Sequence, residues 1–472
     1  MATETDDRML SGMESLMWRL GAEPRLRTTF GAVSFLEATP DRDLLTRRLA
    51  EAVGATPRFR RRVVASRMPG MAPAWVDDES FDLDDHLRWD EPVAGQVRAD
   101  DDALQLATDL VAAPFEPDKP PWELVIVTGL AGGRAALVQR IHHALTDGAG
   151  AIEFFERLVD RPPDASVVDP EPDPFPGAPA PEPPATWGER TVLNVAERVG
   201  ELARSTADVA RWTVEGISDP TRFGTAAGDA VETMRSLQRQ LVVVDPARSR
   251  LWIDRSTERR FVAASVPFGP VHTAATEAGV SVNDVFATAV ARAVANYHRG
   301  QGRPLVDLRL AMPVRTRERA SAGGDAIALT RTVVPSGEGL AAAAHLMKVA
   351  DRLSAITNER SNSLVGALAG IAELVPLAAL SRLVTRQAAT IDVVASNVRT
   401  ASFPLYLAGA RIEATYPLGP LMATPVNVTM ITYDGRADLG IHVDPVAVAD
   451  PQLLRDNLVG AFHEVVTPRS SG

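Results

Sequence analysis

Residues 139–148 read Gln139-Arg140-Ile141-His142-His143-Ala144-Leu145-Thr146-Asp147-Gly148, and the reading of the whole chain works outward from this decamer. It closes an apolar, strand-like run from Arg134 to His143 and precedes a stretch in which Ile152, Phe155 and Leu158 recur at helical spacing. The pattern predicts a strand, a tight connection and a helix. Upstream, Trp122 to Thr128 is a second apolar run, joined to the first through Gly132-Gly133, which predicts a β-hairpin. Adjacent strand residues point to opposite faces, so the two imidazoles cannot readily share a metal ion, and no third ligand stands at metal spacing nearby. One ring is expected to face a channel and the other the interior, as for a catalytic base beside a packing residue. His143 is assigned as the base and His142 as its support. Asp147 stands at the helix start, where free N–H groups stabilise a carboxylate, and both a helix cap and a catalytic partner are open to it. Gly148 fits a turn that brings backbone close to the reacting groups, and equally an ordinary turn glycine.

The rest of the composition narrows the chemistry. At 472 residues the chain is too long for one ordinary core, which favours two or three domains. With 45% hydrophobic and 23% charged residues it is neither a polytopic membrane protein nor wholly disordered. The balance of 49 Lys plus Arg against 61 Asp plus Glu repels nucleic acid phosphates, so no nucleic acid partner is expected. Cysteine is absent, which removes disulfides, thiol nucleophiles and thiolate metal sites and fits a cytoplasmic protein. The first ten residues lack the basic start and apolar stretch of a secretion signal. Lys119 and Lys348 are the two lysines, so a phosphate loop ending Gly-Lys-Ser/Thr cannot be assembled.

Further out, ten prolines between Pro162 and Pro184 mark residues 161–186 as an extended linker. Helical spacing of Val192, Val195, Ala196, Val199, Leu202 and Ala203, with a second helical stretch from Ala226 to Leu241, makes 187–242 a pair of bridging helices. Beyond them, Phe261 to Val266, Leu308 to Met312 and Ile327 to Val334 read as strands, and Val282 to Tyr297 and Leu340 to Ile356 as helices. Alternating Val428, Met430 and Thr432 meet alternating Ala437, Leu439 and Ile441 across Asp434-Gly435, a hairpin signal. Ser363 to Leu380 has the length of a membrane span but contains Glu373 and Pro376, so a buried or interfacial helix is expected, with Arg382 and Arg386 able to meet anionic headgroups. The expected fold class is α/β, an α+β mixed-sheet sandwich of two similar domains, 1–160 and 243–472, with a channel between them.

At the histidine motif the chain resembles the bacterial wax ester synthase/diacylglycerol acyltransferase family. That family belongs to the wider His-His-x-x-x-Asp-Gly acyltransferases, which include chloramphenicol acetyltransferase and peptide-synthetase condensation domains. The likeness extends through Pro57-Arg58-Phe59-Arg60, Trp75, Phe81-Asp82-Leu83 with His86, and Pro121-Trp122-Glu123. It continues through Ser281-Val282-Asn283-Asp284-Val285, Pro313-Val314-Arg315, Ser396-Asn397-Val398, and Asn427 with Tyr433-Asp434-Gly435, covering roughly residues 10 to 465. Three segments depart from the family pattern. Pro120-Pro121-Trp122 replaces Pro-Leu-Trp, Ser396-Asn397-Val398-Arg399-Thr400 replaces Ser-Asn-Val-Pro-Gly, and Gly323-Gly324-Asp325 stands at the Gly-Asn pair. The first two bear on substrate range and channel shape more than on acyl transfer.

The resemblance implies two chloramphenicol acetyltransferase-like domains and an O-acyltransferase that moves a long acyl chain from acyl-CoA to a diacylglycerol or long-chain alcohol. Acyl-CoA is a co-substrate, no cofactor or metal is expected, and the work is done at the cytoplasmic membrane face or on lipid inclusions, peripherally bound. His143 would deprotonate the acceptor hydroxyl directly, since no Gly-x-Ser-x-Gly elbow or cysteine offers a covalent route. For the oxyanion, Asn283 or a backbone N–H near the histidines are candidates, although Ser281-Val282-Asn283-Asp284 also reads as a helix start with Asn283 as cap. Arg315 is implied as the partner of Asp147, against a surface arginine, and Asn397 as channel floor, against a turn residue. Asp284 falls in the same supporting group. Arg58, Arg60, Arg61 and Arg62 either guide CoA phosphates or form an exposed basic turn. His86, His272, His298, His345, His442 and His463 are read as structural. Two rivals stand beside this reading: a condensation-like enzyme using carrier-bound thioesters or a secondary-metabolite hydroxyl, and a non-catalytic lipid-surface protein.

Overall fold

The computed structural model describes residues 9–66, 72–161, 247–315, 327–358 and 376–467. The proline-rich linker, the bridging helices 187–242 and residues 363–375 of the expected interfacial helix lie outside the described residues. The first half runs α1 (Gly12–Gly21), β1 (Thr29–Leu36), α2 (Arg42–Ala55), β2 (Arg61–Val64), β3 (Ala74–Asp77), β4 (Leu87–Asp90), α3 (Asp100–Ala112), β5 (Trp122–Val127), β6 (Ala135–His142), α4 (Gly148–Glu156) and β7 (Val159–Asp160). The second half runs β8 (Arg260–Pro267), α5 (Phe268–Ala278), α6 (Val282–Gly300), β9 (Asp307–Arg315), β10 (Ile327–Pro335), α7 (Ala342–Asn358), α8 (Leu377–Ala388) and β11 (Val393–Arg399). It ends with β12 (Tyr406–Leu407), β13 (Ala410–Leu418), β14 (Val426–Tyr433), β15 (Arg436–Val443) and α9 (Pro451–Val466).

Local chemistry explains where these elements begin and turn. The β5–β6 connection uses Gly132 and Gly133 at φ 78° and 76°, and β14–β15 turns on Asp434 and Gly435 at φ 43° and 75°. In the two-residue β14–β15 turn, positive φ at both central residues matches the right-handed twist of the flanking strands, whereas β5–β6 is a longer loop in which Gly129 also takes positive φ. Helix α6 starts at Ser281, whose hydroxyl accepts the Asp284 N–H while the Asp284 carboxylate accepts the Ser281 N–H at 2.8 Å.

Strands order as β4-β5-β6-β1-β13-β12-β7 in one sheet and β10-β9-β11-β14-β15-β8 in the other. Both are mixed: β4 runs parallel to β5, and β11 runs parallel to β9 and β14. The α/β class expected from the chain is the observed one. The first sheet is completed by residues far downstream, because β13 pairs antiparallel with β1 from Gly31↔Leu418 to Leu36↔Ile412. This excursion puts β13 against β14 and β15 of the second sheet. Gly440 has no room for a side chain there: a Cβ would stand 1.8 Å from the Pro417 carbonyl oxygen.

Polar groups lock the same junction. The Thr415 N–H donates to Asp438 Oδ2 at 2.9 Å, and Ser265 Oγ lies 3.1 Å from the Tyr416 hydroxyl. Burial raises the Asp438 carboxyl, while the Ser265 hydroxyl, the Thr415 N–H and Arg436 oppose the rise. The Tyr433 hydroxyl donates to the Ile412 carbonyl and accepts the Leu405 N–H, pinning the excursion at its other end.

Apolar cores flank both sheets. One face of the first sheet buries Leu137 and Ile141 with Leu45, Leu49 and Phe154 from α2 and α4, and the opposite face buries Val33, Val125 and Val138 with Ala107 and Val111 of α3. The second sheet packs Val393, Ala395, Val428 and Met430 against α6 and α9. Among the described residues no helix is long and apolar enough to cross a membrane. Gly440→Ala sets a methyl against backbone that cannot swing aside, so it is expected to cost about 1–3 kcal/mol. A thermal melt lower by about 1–3 °C checks it, and an unchanged melt would remove the junction from the account of the fold.

Candidate active site

Strand β6 delivers the two histidines at the end of the first sheet. The His142 N–H donates to the Pro121 carbonyl at 3.0 Å, which fixes where the strand stops. The His142 ring is buried and both of its nitrogens are engaged. The Ala144 N–H donates to Nδ1 at 3.1 Å, and Nε2 lies 3.1 Å from Thr28 Oγ1. A backbone N–H can only donate, so Nδ1 is the acceptor and the ring proton sits on Nε2. The Thr28 hydroxyl passes its own proton to the Met17 carbonyl at 3.0 Å. Trp18 lies against the ring at 5.0 Å and Phe115 meets it edge-on at 6.2 Å. Burial drives the His142 pKa down to about 3, with the nearby charges of His143 and Arg27 adding to the fall. His142 is a neutral, fully satisfied ring that cannot take a further proton without breaking a bond.

His143 differs in its exposure and its hydrogen bonding. It is half-buried, and its ring lies over Phe30 at 4.4 Å. Its N–H donates to the Thr28 carbonyl at 3.3 Å. Its ring nitrogens have no hydrogen-bond partner among the described residues. Burial lowers its pKa to about 4, opposed by the Asp147 carboxylate. The imidazole is therefore neutral at physiological pH, with a lone pair free for a proton.

Asp147 caps α4, its Oδ1 accepting the Gly150 N–H at 2.8 Å. The cap and the electrostatic influence on His143 coexist in one carboxylate. At Gly148 a Cβ would meet open space, apart from its chain neighbours and the backbone of α4, and φ is not positive. The cramped glycine is Gly150, where a Cβ would fall 2.1 Å from Thr146 Oγ1.

Ser281, not Asn283, caps α6, and the Asp284 carboxylate is spent on that cap. Asn283 Oδ1 instead accepts from Asn397 Nδ2 at 2.7 Å, a contact between the start of α6 and the end of β11. Strand alternation puts Asn397 on the face of Val393 and Ala395, which pack toward the helices. Arg315 closes β9, but its side chain lies outside the described residues. The basic run does not converge on one spot. Arg58 pairs with Glu14 and stacks over Trp75, and Arg60 is exposed above Phe81. Arg61 meets Asp77 at 3.0 Å, and Arg62 lies 3.8 Å from Asp118.

Sequence reasoning passed over Thr28, Trp18 and the Glu123–Arg140 pair. Arg140 bridges to Glu123 at 2.8 Å and donates to the Leu110 carbonyl at 2.7 Å, tying α3 to the strand that carries the histidines. A Thr or Trp 114 or more residues upstream offers no local signal that it meets the motif. His86 is structural, its Nδ1 2.8 Å from the Trp122 carbonyl and its ring stacked on Trp122 at 4.4 Å. Among the described residues no group of three His, Asp or Glu side chains could hold a metal ion.

A two-sheet fold in which a buried His142 and a half-buried His143 precede a helix capped by Asp147 carries the motif of the His-His-x-x-x-Asp-Gly acyltransferase class. The model of the wax ester synthase/diacylglycerol acyltransferase catalytic domain matches residues 10–286, and that of the family's C-terminal domain matches residues 327–465. The chain belongs to this family and is an O-acyltransferase. A Mycobacterium tuberculosis H37Rv protein named for diacylglycerol O-acyltransferase activity is 29% identical, over 97% of this chain and 91% of its own. A second protein of that strain with the same kind of name is 29% identical over 98% and 99%. The solved wax ester synthase/diacylglycerol acyltransferase of Marinobacter aquaeolei VT8 superposes with a TM-score of 0.63 at 21% identity, covering 97% of this chain and 98% of that one. The first condensation domain of the calcium-dependent antibiotic synthetase follows at 0.58 and 16%, covering 98% of each chain.

Both ring pKa values lie below the ordinary 6.5, so on acidification the unfolded chain takes up protons first. The stability these neutral rings supply is full above pH 6.5 and is lost as pH falls toward 4. Imidazole resonances in NMR titration should place His143 near 4, with His142 unprotonated until lower still. A His143 titrating at 6.5 would mean that its ring is not desolvated.

Proposed function

We propose that the enzyme moves a long-chain acyl group from acyl-CoA to the hydroxyl of a diacylglycerol or a long-chain alcohol. The observation that carries this reading is the contrast between the two rings: His142 has both nitrogens occupied, whereas His143 is neutral and unengaged. The acceptor O–H gives its proton to His143 while its oxygen attacks the thioester carbonyl. The tetrahedral intermediate collapses with cleavage of the C–S bond, and the imidazolium returns the proton to the departing thiolate, leaving ester and free CoA. For the oxyanion, the candidates are the amide N–H groups of Asn283, whose oxygen is engaged by Asn397, and a backbone N–H near the histidines. The names of the mycobacterial and Marinobacter relatives support the acceptor class. Support for acyl-CoA as donor comes also from a starter condensation domain of related fold solved in complex with C8-CoA, with a TM-score of 0.57.

Both substrates of such a reaction are lipids, and action at the cytoplasmic membrane face or an inclusion surface belongs to the same reading. Helix α8 supports it by exposing Arg382 and Arg386 while Leu380 is buried against Leu16 and Leu20 of α1.

The test is ester formation from palmitoyl-CoA with hexadecanol and with diacylglycerol in parallel. Ester from either acceptor is expected, and His143→Ala should lower kcat by about 10²- to 10⁴-fold. No ester from either, with turnover of carrier-loaded acyl groups instead, would favour the condensation-like chemistry. His143→Ala with full activity would remove the ring from the mechanism.

A further inference from the structure

One residue holds both histidines. Thr28, fully buried in the turn before β1, accepts the His142 Nε2–H on its hydroxyl at 3.1 Å and the His143 N–H on its carbonyl at 3.3 Å. Its hydroxyl proton is committed to the Met17 carbonyl at 3.0 Å, so the proton order from Ala144 N–H to His142, Thr28 and Met17 runs in one direction. Reversing the His142 tautomer would set Nδ1–H against the Ala144 N–H and leave the Thr28 hydroxyl facing a bare Nε2 with its own proton already given away. The space is closed as well. A Cβ on Gly21 would stand 2.5 Å from His142 Nε2 and 2.8 Å from Thr28 Oγ1, so α1 presses the pair together from behind. Arg27 donates to the Gly21 carbonyl at 2.8 Å and holds that end of α1 in place.

We propose that Thr28 is a positioning residue for acyl transfer: its hydroxyl fixes the His142 tautomer, and its carbonyl fixes the backbone from which His143 projects. The role rests on His143 being the base, and it touches no substrate. A sub-ångström displacement of that backbone misaligns the imidazole with the acceptor hydroxyl, an effect on turnover rather than on substrate affinity.

The experiment compares wild type, Thr28→Val, Thr28→Ser and His143→Ala in palmitoyl-CoA turnover. Thr28→Val keeps the shape and removes the hydroxyl. It should lower kcat by about 10- to 100-fold, with KM for both substrates within about twofold. Thr28→Ser should recover most of that kcat despite its missing methyl. Thr28→Val with wild-type kcat, or Thr28→Ser as impaired as Thr28→Val, overturns the proposal. If Thr28→Val does not fold, ¹⁵N imidazole shifts of the wild-type protein decide: an Nε2–H form of His142 supports the assignment, and an Nδ1–H form overturns it. His143→Ala separates the two levels. Its retention of activity defeats the base, whereas its inactivity beside a fully active Thr28→Val defeats only Thr28.

Discussion

The alternation of side chains along a β-strand is the constraint on which this site depends. His142 closes β6 and His143 follows on the next rung, its backbone N–H bonded to the Thr28 carbonyl, so the two side chains face different surroundings and the chain pays the desolvation of both to obtain two different rings. His142 is absorbed into a one-way hydrogen-bond chain with Ala144, Thr28 and Met17. His143, one residue on, rests against Phe30 with its nitrogens unclaimed by the described protein. The same low-dielectric surroundings that keep both neutral would strengthen any hydrogen bond His143 makes to an incoming hydroxyl.

The scaffold that holds this arrangement is shared between the chain's halves. Residues 29–36 and 135–142 would form only part of a sheet, and β13 supplies the neighbouring strand from the far end of the sequence. Because β13 also lies on β14 and β15, it joins the sheet bearing the histidines to the second sheet, and Phe261 of β8 packs into the same core as Val33 and Val138. Asp438 shows how the join is made specific. A buried carboxylate is costly, and here it is offset by the Thr415 N–H, the Ser265 hydroxyl and Arg436, groups drawn from both sheets.

What could be read from the chain were the features with local causes. Hairpins at Gly132-Gly133 and Asp434-Gly435, the amphipathic run beginning at Val282, and the opposite fates of His142 and His143 follow from residues close together in sequence. Asp147 as a cap was legible for the same reason. The partnership of Thr28 with both histidines was not, since it joins residues more than a hundred positions apart through backbone groups that leave no trace in residue type. Asn283 resembled a cap because it stands two residues from one; only the structure shows that Ser281 and Asp284 satisfy the helix between them. The Arg58–Arg62 run reads from the sequence either as a guide for CoA phosphates or as an exposed basic turn. The 3₁₀ turn Pro57–Arg60 and the strand β2 that follows instead turn the four side chains toward separate neighbours.

The long-range pairing of β1 with β13 has a consequence for biosynthesis. Gly31 and Leu418 are nearly 400 residues apart, so at about 5–20 residues per second the ribosome needs roughly 20 to 80 s to produce the second after the first. Throughout that interval one edge of β1 has no native neighbour, and an unpaired strand edge is an invitation to association with other chains. Nascent protein is thus most vulnerable to aggregation until residues 410–418 emerge, and chaperone occupancy of the early half is the natural remedy.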